Sequence, residues 1–207
     1  MKHILITTIA TMELVGGAAK QKEFDASNKI EGHDLKIFYT DKTAKASDIS
    51  MHKDSETDKV FTPLFNGKNL QGWVTVGPAD AFIVRDSAIF STGAGPYPSW
   101  LRSEQEYENF VLRFEYKTEG WYEGGVLLHA PLDGPGSKLG LKLHLRHEQK
   151  AYGLRSPGAI YDAAAPRSIA NLPSGQWNYC EIKCDWPDLR VTLNDELIHD
   201  ISMENEA

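Results

Sequence analysis

From Phe110 onward, apolar and polar residues alternate with a period of two. In Phe110–Lys117 the even positions are Phe110, Leu112, Phe114 and Tyr116, and three of the four between them are Arg113, Glu115 and Lys117. Leu139, Leu141, Leu143 and Leu145 alternate with Gly140, Lys142, His144 and Arg146, and Cys180, Ile182 and Cys184 with Glu181 and Lys183. Successive strand side chains point to opposite faces, so each pattern predicts a strand with one face in a core. Residues 124–129 predict another strand, joined to the leucine strand by a loop over Pro131, Asp133, Gly134, Pro135 and Gly136. Asn66-Gly67-Lys68 and Trp186-Pro187-Asp188 mark turns. No segment keeps a helical period beyond two turns. Many short strands between turn residues predict an all-β fold, a sandwich or jelly roll of antiparallel sheets.

The texture differs before Val60. Lys2 and His3 open the chain, Ile4 to Met12 is a short apolar run interrupted soon after by Glu13, and Gly17, Ala18 and Ala19 are small. This order is that of a secretory signal over residues 1–19, and it predicts a secreted or periplasmic product. The run is too short to span a bilayer. Leu14-Val15-Gly16 is followed by Gly17 rather than Cys, so no membrane anchor is evident. Residues 20–59 are dense in Lys, Asp, Glu and Ser and predict a charged linker, with one short strand at Leu35 to Tyr39. The sandwich domain is expected over residues 60–207.

Composition narrows the function. A net charge of −7 argues against nucleic acid and against an anionic membrane surface. Seventeen Gly and ten Pro suit a turn-rich β protein. A body of about 150 residues buries roughly two-thirds of its unfolded surface and needs no staple. The two cysteines, Cys180 and Cys184, would stand ~13 Å apart on one strand, too far for a disulfide, and share its apolar parity. They are expected to be buried thiols.

Candidate chemistry follows from parity. Lys142, His144 and Arg146 face away from the leucines. On the neighbouring strand His129 takes the polar parity, and on Phe110–Lys117 so does Glu115. If these strands share a sheet, one face gathers Glu115, His129, Lys142, His144 and Arg146, a set suited to proton transfer or to hydrogen-bonding a sugar. A solvated face of mixed charge would read the same way. His129, His144 and Glu115 are also ligand-type side chains, so a divalent metal stays open as cofactor, with no fixed spacing to specify it. Trp73, Trp100, Trp121 and Tyr122 lie near turns, where aromatics stack on sugar rings or simply pack. The chain has no phosphate loop, nucleophile elbow or zinc motif. No strand carries the close acidic pair of a two-carboxylate glycosidase.

Several short motifs stand in a familiar order. Phe65-Asn66-Gly67-Lys68-Asn69-Leu70 with Gly72-Trp73, the strand Phe110 to Tyr116, Glu123-Gly124-Gly125-Val126, Pro157-Gly158-Ala159-Ile160-Tyr161, Gly175-Gln176-Trp177-Asn178 and Asn194-Asp195 resemble, in sequence, those of the 3-keto-disaccharide hydrolase-like family. Glu and Gln are frequent there where this chain has Lys142 and His144. The family's usual "FRNI" ending has no counterpart before Ala207, so the resemblance implies a domain truncated at its C-terminus. It also implies a concanavalin-like sandwich acting on glycosides oxidised at carbon 3. Such a ketone acidifies the hydrogen on carbon 2, and elimination at carbon 1 followed by hydration amounts to hydrolysis. Under that reading His144 or Glu115 is the base, Lys142 or Arg146 meets the enolate, and His129 is the acid. The rival readings are a non-catalytic carbohydrate-binding module on the same sandwich and a structural or adhesion domain.

Overall fold

The computed structural model describes residues 2–8, 33–40, 61–93, 99–118, 122–130 and 140–205. In chain order the strands are β1 (Lys2–Thr8), β2 (His33–Thr40), β3 (Phe61–Pro63), β4 (Trp73–Val76), β5 (Phe82–Arg85), β6 (Ala88–Ser91) and β7 (Ser99–Tyr107). They continue with β8 (Phe110–Lys117), β9 (Glu123–Ala130), β10 (Leu141–Arg146), β11 (Trp177–Asp185), β12 (Asp188–Leu193) and β13 (Glu196–Ser202). No α-helix occurs among the described residues. The expected all-β sandwich is what the chain forms.

The strands build two antiparallel sheets. The first runs β10-β9-β1-β7-β4, and the second β13-β12-β11-β8-β2-β6-β5 with β3 alongside β2. Their facing sides make the core. Phe110, Leu112, Phe114 and Tyr116 of β8 pack with Cys180, Ile182 and Cys184 of β11 and with Val126, Leu128, Leu143 and Leu145 of the first sheet. Each fully buried aliphatic or aromatic side chain contributes roughly 1.5–3 kcal/mol. The period of two is therefore the footprint of this one interface. Both cysteines are buried and free, as expected. Burial pushes the Cys184 thiol up to about 12, so neither its ionisation nor thiolate chemistry is favoured at neutral pH.

Short loops keep the strands in register. Asp86-Ser87 joins β5 to β6 and Asn194-Asp195 joins β12 to β13, all four at positive φ. Two-residue turns of that hand match the twist of the strands they join. Asn194 does more than turn: its Oδ1 accepts from the Tyr179 amide at 2.9 Å, and its Nδ2 donates to the Ala170 carbonyl at 2.8 Å. Asn178 Oδ1 accepts from the Leu172 amide at 2.7 Å. These bonds tie the segment before β11 to the second sheet.

Two N-terminal segments are strands within the sheets. β1 pairs with β7 on one side and β9 on the other. β2, which contains the predicted strand at Leu35 to Tyr39, pairs with β8 and β6. The cleavage region of the expected signal and most of the expected linker lie outside the described residues, as do Leu139 and Trp121.

Candidate functional site

β9 and β10 set the frame. Their register places Lys142 opposite Leu127, His144 opposite Gly125 and Arg146 opposite Glu123. Directly paired residues share a face, so these six lie on the outward side of the first sheet, while Leu143 and Leu145 enter the core at 1% and 4% exposure. The alternation read from the leucines holds over β10. The expectation that the opposite face is merely lined by polar groups needs one addition, because that face is covered. Lys142 is 4% exposed and His144 0%.

Part of the cover is the chain that follows. After a 3-10 turn at Gly153–Arg155, residues 158–161 run along the free edge of β10. The His144 amide donates to Ala159 O at 2.8 Å, the Gly158 amide to His144 O at 2.7 Å, and the Tyr161 amide to Lys142 O at 2.9 Å. Gly158 sits at φ 78°, and a Cβ there would come within 2.8 Å of Ile198 Cδ1. Its carbonyl accepts from His199 Nε2 at 2.7 Å, which anchors the cover to β13. Tyr161 then lies edge-on to the His144 ring at 5.0 Å, with Lys142 Nζ 4.8 Å from its centroid.

Beneath that cover His144 is held at both ring nitrogens. Nδ1 lies 3.1 Å from the Arg155 carbonyl and Nε2 3.1 Å from Glu123 Oε1. A carbonyl only accepts, so Nδ1 carries a hydrogen. The Nε2 contact then needs a second proton, on the ring or on the carboxyl. The pair therefore shares one transferable proton. The His144 hydrogen bond holds the Glu123 carboxyl below the usual carboxylate range, while burial pulls the imidazole down. Glu123 is the outer member, with 16% of its side chain exposed against 0% for His144. Glu123 is thus the member nearer the surface, and the His144 contact orients it.

Lys142 and Arg146 flank the pair. Burial pushes the Lys142 amine down to about 8. Arg146 is engaged by Glu148 through two bonds of 2.7 and 3.1 Å, and lies 4.9 Å from the Tyr152 ring. Arg146 thus serves the rim more than the floor. Trp100 on β7 packs on Leu127 and Ala130 of the same outward face. Through β1 its register row leads to Gly125 and His144. Three inter-strand steps of ~4.8 Å separate them.

The other two predicted site residues lie elsewhere. Glu115 belongs to the second sheet, where its cross-strand neighbours are Tyr179 and Lys36. It faces outward on the far side of the sandwich, a full core away from His144. The strands did not share one sheet, which parity alone could not reveal. His129 fails for a different reason. A register irregularity sets one extra residue on β9 opposite β1, and His129 takes φ 54°. Such a bulge reverses the parity of the residue that follows it. The ring turns to the other sheet, 3.6 Å from Cys184 Sγ, 3.0 Å from Glu108 O and 4.8 Å from the Trp186 ring. Trp73 and Tyr122 are core residues, 7% and 8% exposed. Glu123 and Tyr161 are the members that sequence reasoning passed over. The signal for Glu123 was its parity with Gly125 and Leu127, one residue outside the span read as strand.

A metal was left open on His129, His144 and Glu115. These three do not converge, and among the described residues no group of three or more His, Cys, Asp or Glu is arranged to hold an ion. No helix among the described residues is long and apolar enough to cross a membrane.

No curated protein matches the chain. A proposed glycosyl hydrolase from Parabacteroides distasonis ATCC 8503, solved at 1.70 Å, matches with TM-score 0.58 and 19% identity over 75% of this chain and 78% of its own. Another from the same organism, solved at 2.00 Å, matches with TM-score 0.57 and 20% identity over 69% and 72%. At such identities they speak for the fold. The ordered motifs above and a match of residues 60–207 to the model of the 3-keto-alpha-glucoside-1,2-lyase-like domain lead to one conclusion: the chain belongs to that family.

Proposed function

We propose that the domain cleaves 3-keto-glycosides by elimination and hydration. The observation that carries this reading is the Glu123–His144 pair, held at 3.1 Å beside Lys142 and under Tyr161. The Glu123 carboxylate takes the proton from carbon 2, and His144 keeps that carboxylate oriented. The positive charge of Lys142 meets the negative charge that grows on the ketone oxygen. The electron pair left on carbon 2 moves to form a carbon 1–carbon 2 double bond as the leaving group departs with a proton. Water then adds at carbon 1, which gives the 3-keto sugar. Trp100 supplies a stacking surface for the neighbouring ring.

Incubation of the full chain with a 3-keto-glucoside and with its parent glucoside tests the reading. Release from the keto compound alone is expected. Release from neither overturns it, and binding of the keto compound without release assigns the face to a carbohydrate-binding module.

A further inference from the structure

Lys142 is the most buried cation among the described residues, and it is left open. Among the described residues its amine has the Tyr161 ring at 4.8 Å and makes no hydrogen bond or ion pair. Arg113, exposed to a similar 7%, is instead closed by Glu181 at 2.7 Å. The fold makes room for the Lys142 stem. A Cβ on Gly125, across the strand pair, would come within 2.9 Å of Lys142 Cε and 3.0 Å of Cγ, and would also collide with the Leu143 carbonyl. Burial disfavours the ammonium and makes a fraction of neutral amine available. A desolvated neutral amine is a nucleophile toward carbonyl carbon.

We propose that Lys142 forms a Schiff base with the ketone of the substrate, so that elimination proceeds through an iminium ion and an enamine. The inference rests on the 3-keto-glycoside reading and deepens it: the cation opposite the developing charge becomes covalent. Nζ of the neutral amine attacks carbon 3, and the ketone oxygen takes a proton to give a carbinolamine. A second proton, delivered through the Glu123–His144 pair, lets that oxygen leave as water. One N–H and a positive charge stay on the iminium nitrogen. Glu123 removes the carbon 2 proton, and the C–H pair becomes the carbon 2–carbon 3 double bond of the enamine. The nitrogen lone pair then re-forms the carbon–nitrogen double bond while the enamine pair moves to carbon 1–carbon 2, and the leaving group departs from carbon 1 with a proton. Water hydrolyses the iminium, which restores the ketone and the free amine. The depressed pKa of Lys142, about 8, keeps a useful fraction of neutral amine near neutral pH.

The test separates this step from turnover. The full chain is incubated with 3-keto-1,5-anhydroglucitol, which has no leaving group at carbon 1, and with sodium cyanoborohydride, which reduces an iminium to a stable amine. Intact mass and peptide mapping should find one adduct per chain, the mass of the sugar less one oxygen atom, at Lys142. Lys142→Arg should abolish it; where that variant does not fold, Lys142→Met lays an apolar stem of similar length over Gly125. Turnover of a 3-keto-glucoside is measured in parallel. Turnover with no adduct, or with adducts only on surface lysines, overturns the Schiff base and leaves the elimination reading standing. An adduct at Lys142 without turnover supports the amine chemistry and overturns the elimination. Absence of both overturns both.

Discussion

The outward faces of the two sheets come from the same sequence pattern and end differently. On the second sheet Arg113 and Glu181 stand directly across β8 and β11 and close on each other at 2.7 Å, with the Phe61 ring 3.9 Å from the guanidinium. Lys117 lies over Trp177, and further out Arg190 meets Asp200 at 3.0 Å with both side chains about half exposed. Each of these charges is answered where it sits. On the first sheet Lys142 and His144 are buried, and among the described residues the Lys142 amine has no ion-pair partner. The difference teaches where to look for chemistry. A closed ion pair is spent on its own geometry, whereas a buried cation beside a proton-sharing pair keeps its interaction energy for something that arrives.

The largest expected effect tests the first face against the second. Glu123→Gln should lower turnover of a 3-keto-glucoside by about 100-fold or more, the scale of losing an acid–base group. Glu115→Gln, on the far face, should leave turnover within about two-fold of the parent, a change too small for a group in contact with substrate. Equal losses in both variants would dissolve the distinction.

Stability should move the other way. The folded Lys142 amine gives up its proton near pH 8, against 10.5 for the ordinary group. Between those values the unfolded chain holds a proton that the folded chain has lost, so stability rises with pH across that window and the cost is in full force below it. Lys142→Met should therefore stabilise the fold at pH 7 by about 3 kcal/mol while abolishing turnover, and the gain should vanish above pH 10.5. Denaturant melts at pH 7 and pH 11 would show it. A variant less stable than the parent at pH 7 would mean that the amine is satisfied after all.

Smaller effects belong to the second sheet. Glu181→Ala leaves the Arg113 guanidinium buried without its carboxylate and should cost about 2 kcal/mol in a chemical denaturation curve, with kcat unchanged. Arg190→Ala removes one half of an exposed pair and should shift stability by less than about 0.5 kcal/mol. A loss at Arg190 as large as at Glu181 would say that burial is not what separates the two pairs.

Strand positions and the inward face were legible because alternation is local: Leu143, Leu145, Ile182, Phe114 and their neighbours announce themselves within a few residues. Turn chemistry was legible for the same reason, at Asn66-Gly67 and at Trp186-Pro187. Lys142, His144 and Arg146 could be placed on one face by counting. What counting could not supply was the company they keep. His144 meets Glu123 across 21 residues and the Arg155 carbonyl across 11.

The amino-acid sequence by itself determined an all-β sandwich, its family, and the parity of each regular strand, since each of these is written in short-range periodicity or ordered motifs. Only the tertiary structure decided that Glu115 lies on the opposite sheet, that a bulge turns His129 to Cys184, and that residues 158–161 pair along the edge of β10 and set Tyr161 against His144. The physical reason is range. A period of two fixes which way a side chain points, but burial and charge pairing depend on segments far along the chain that pack against it.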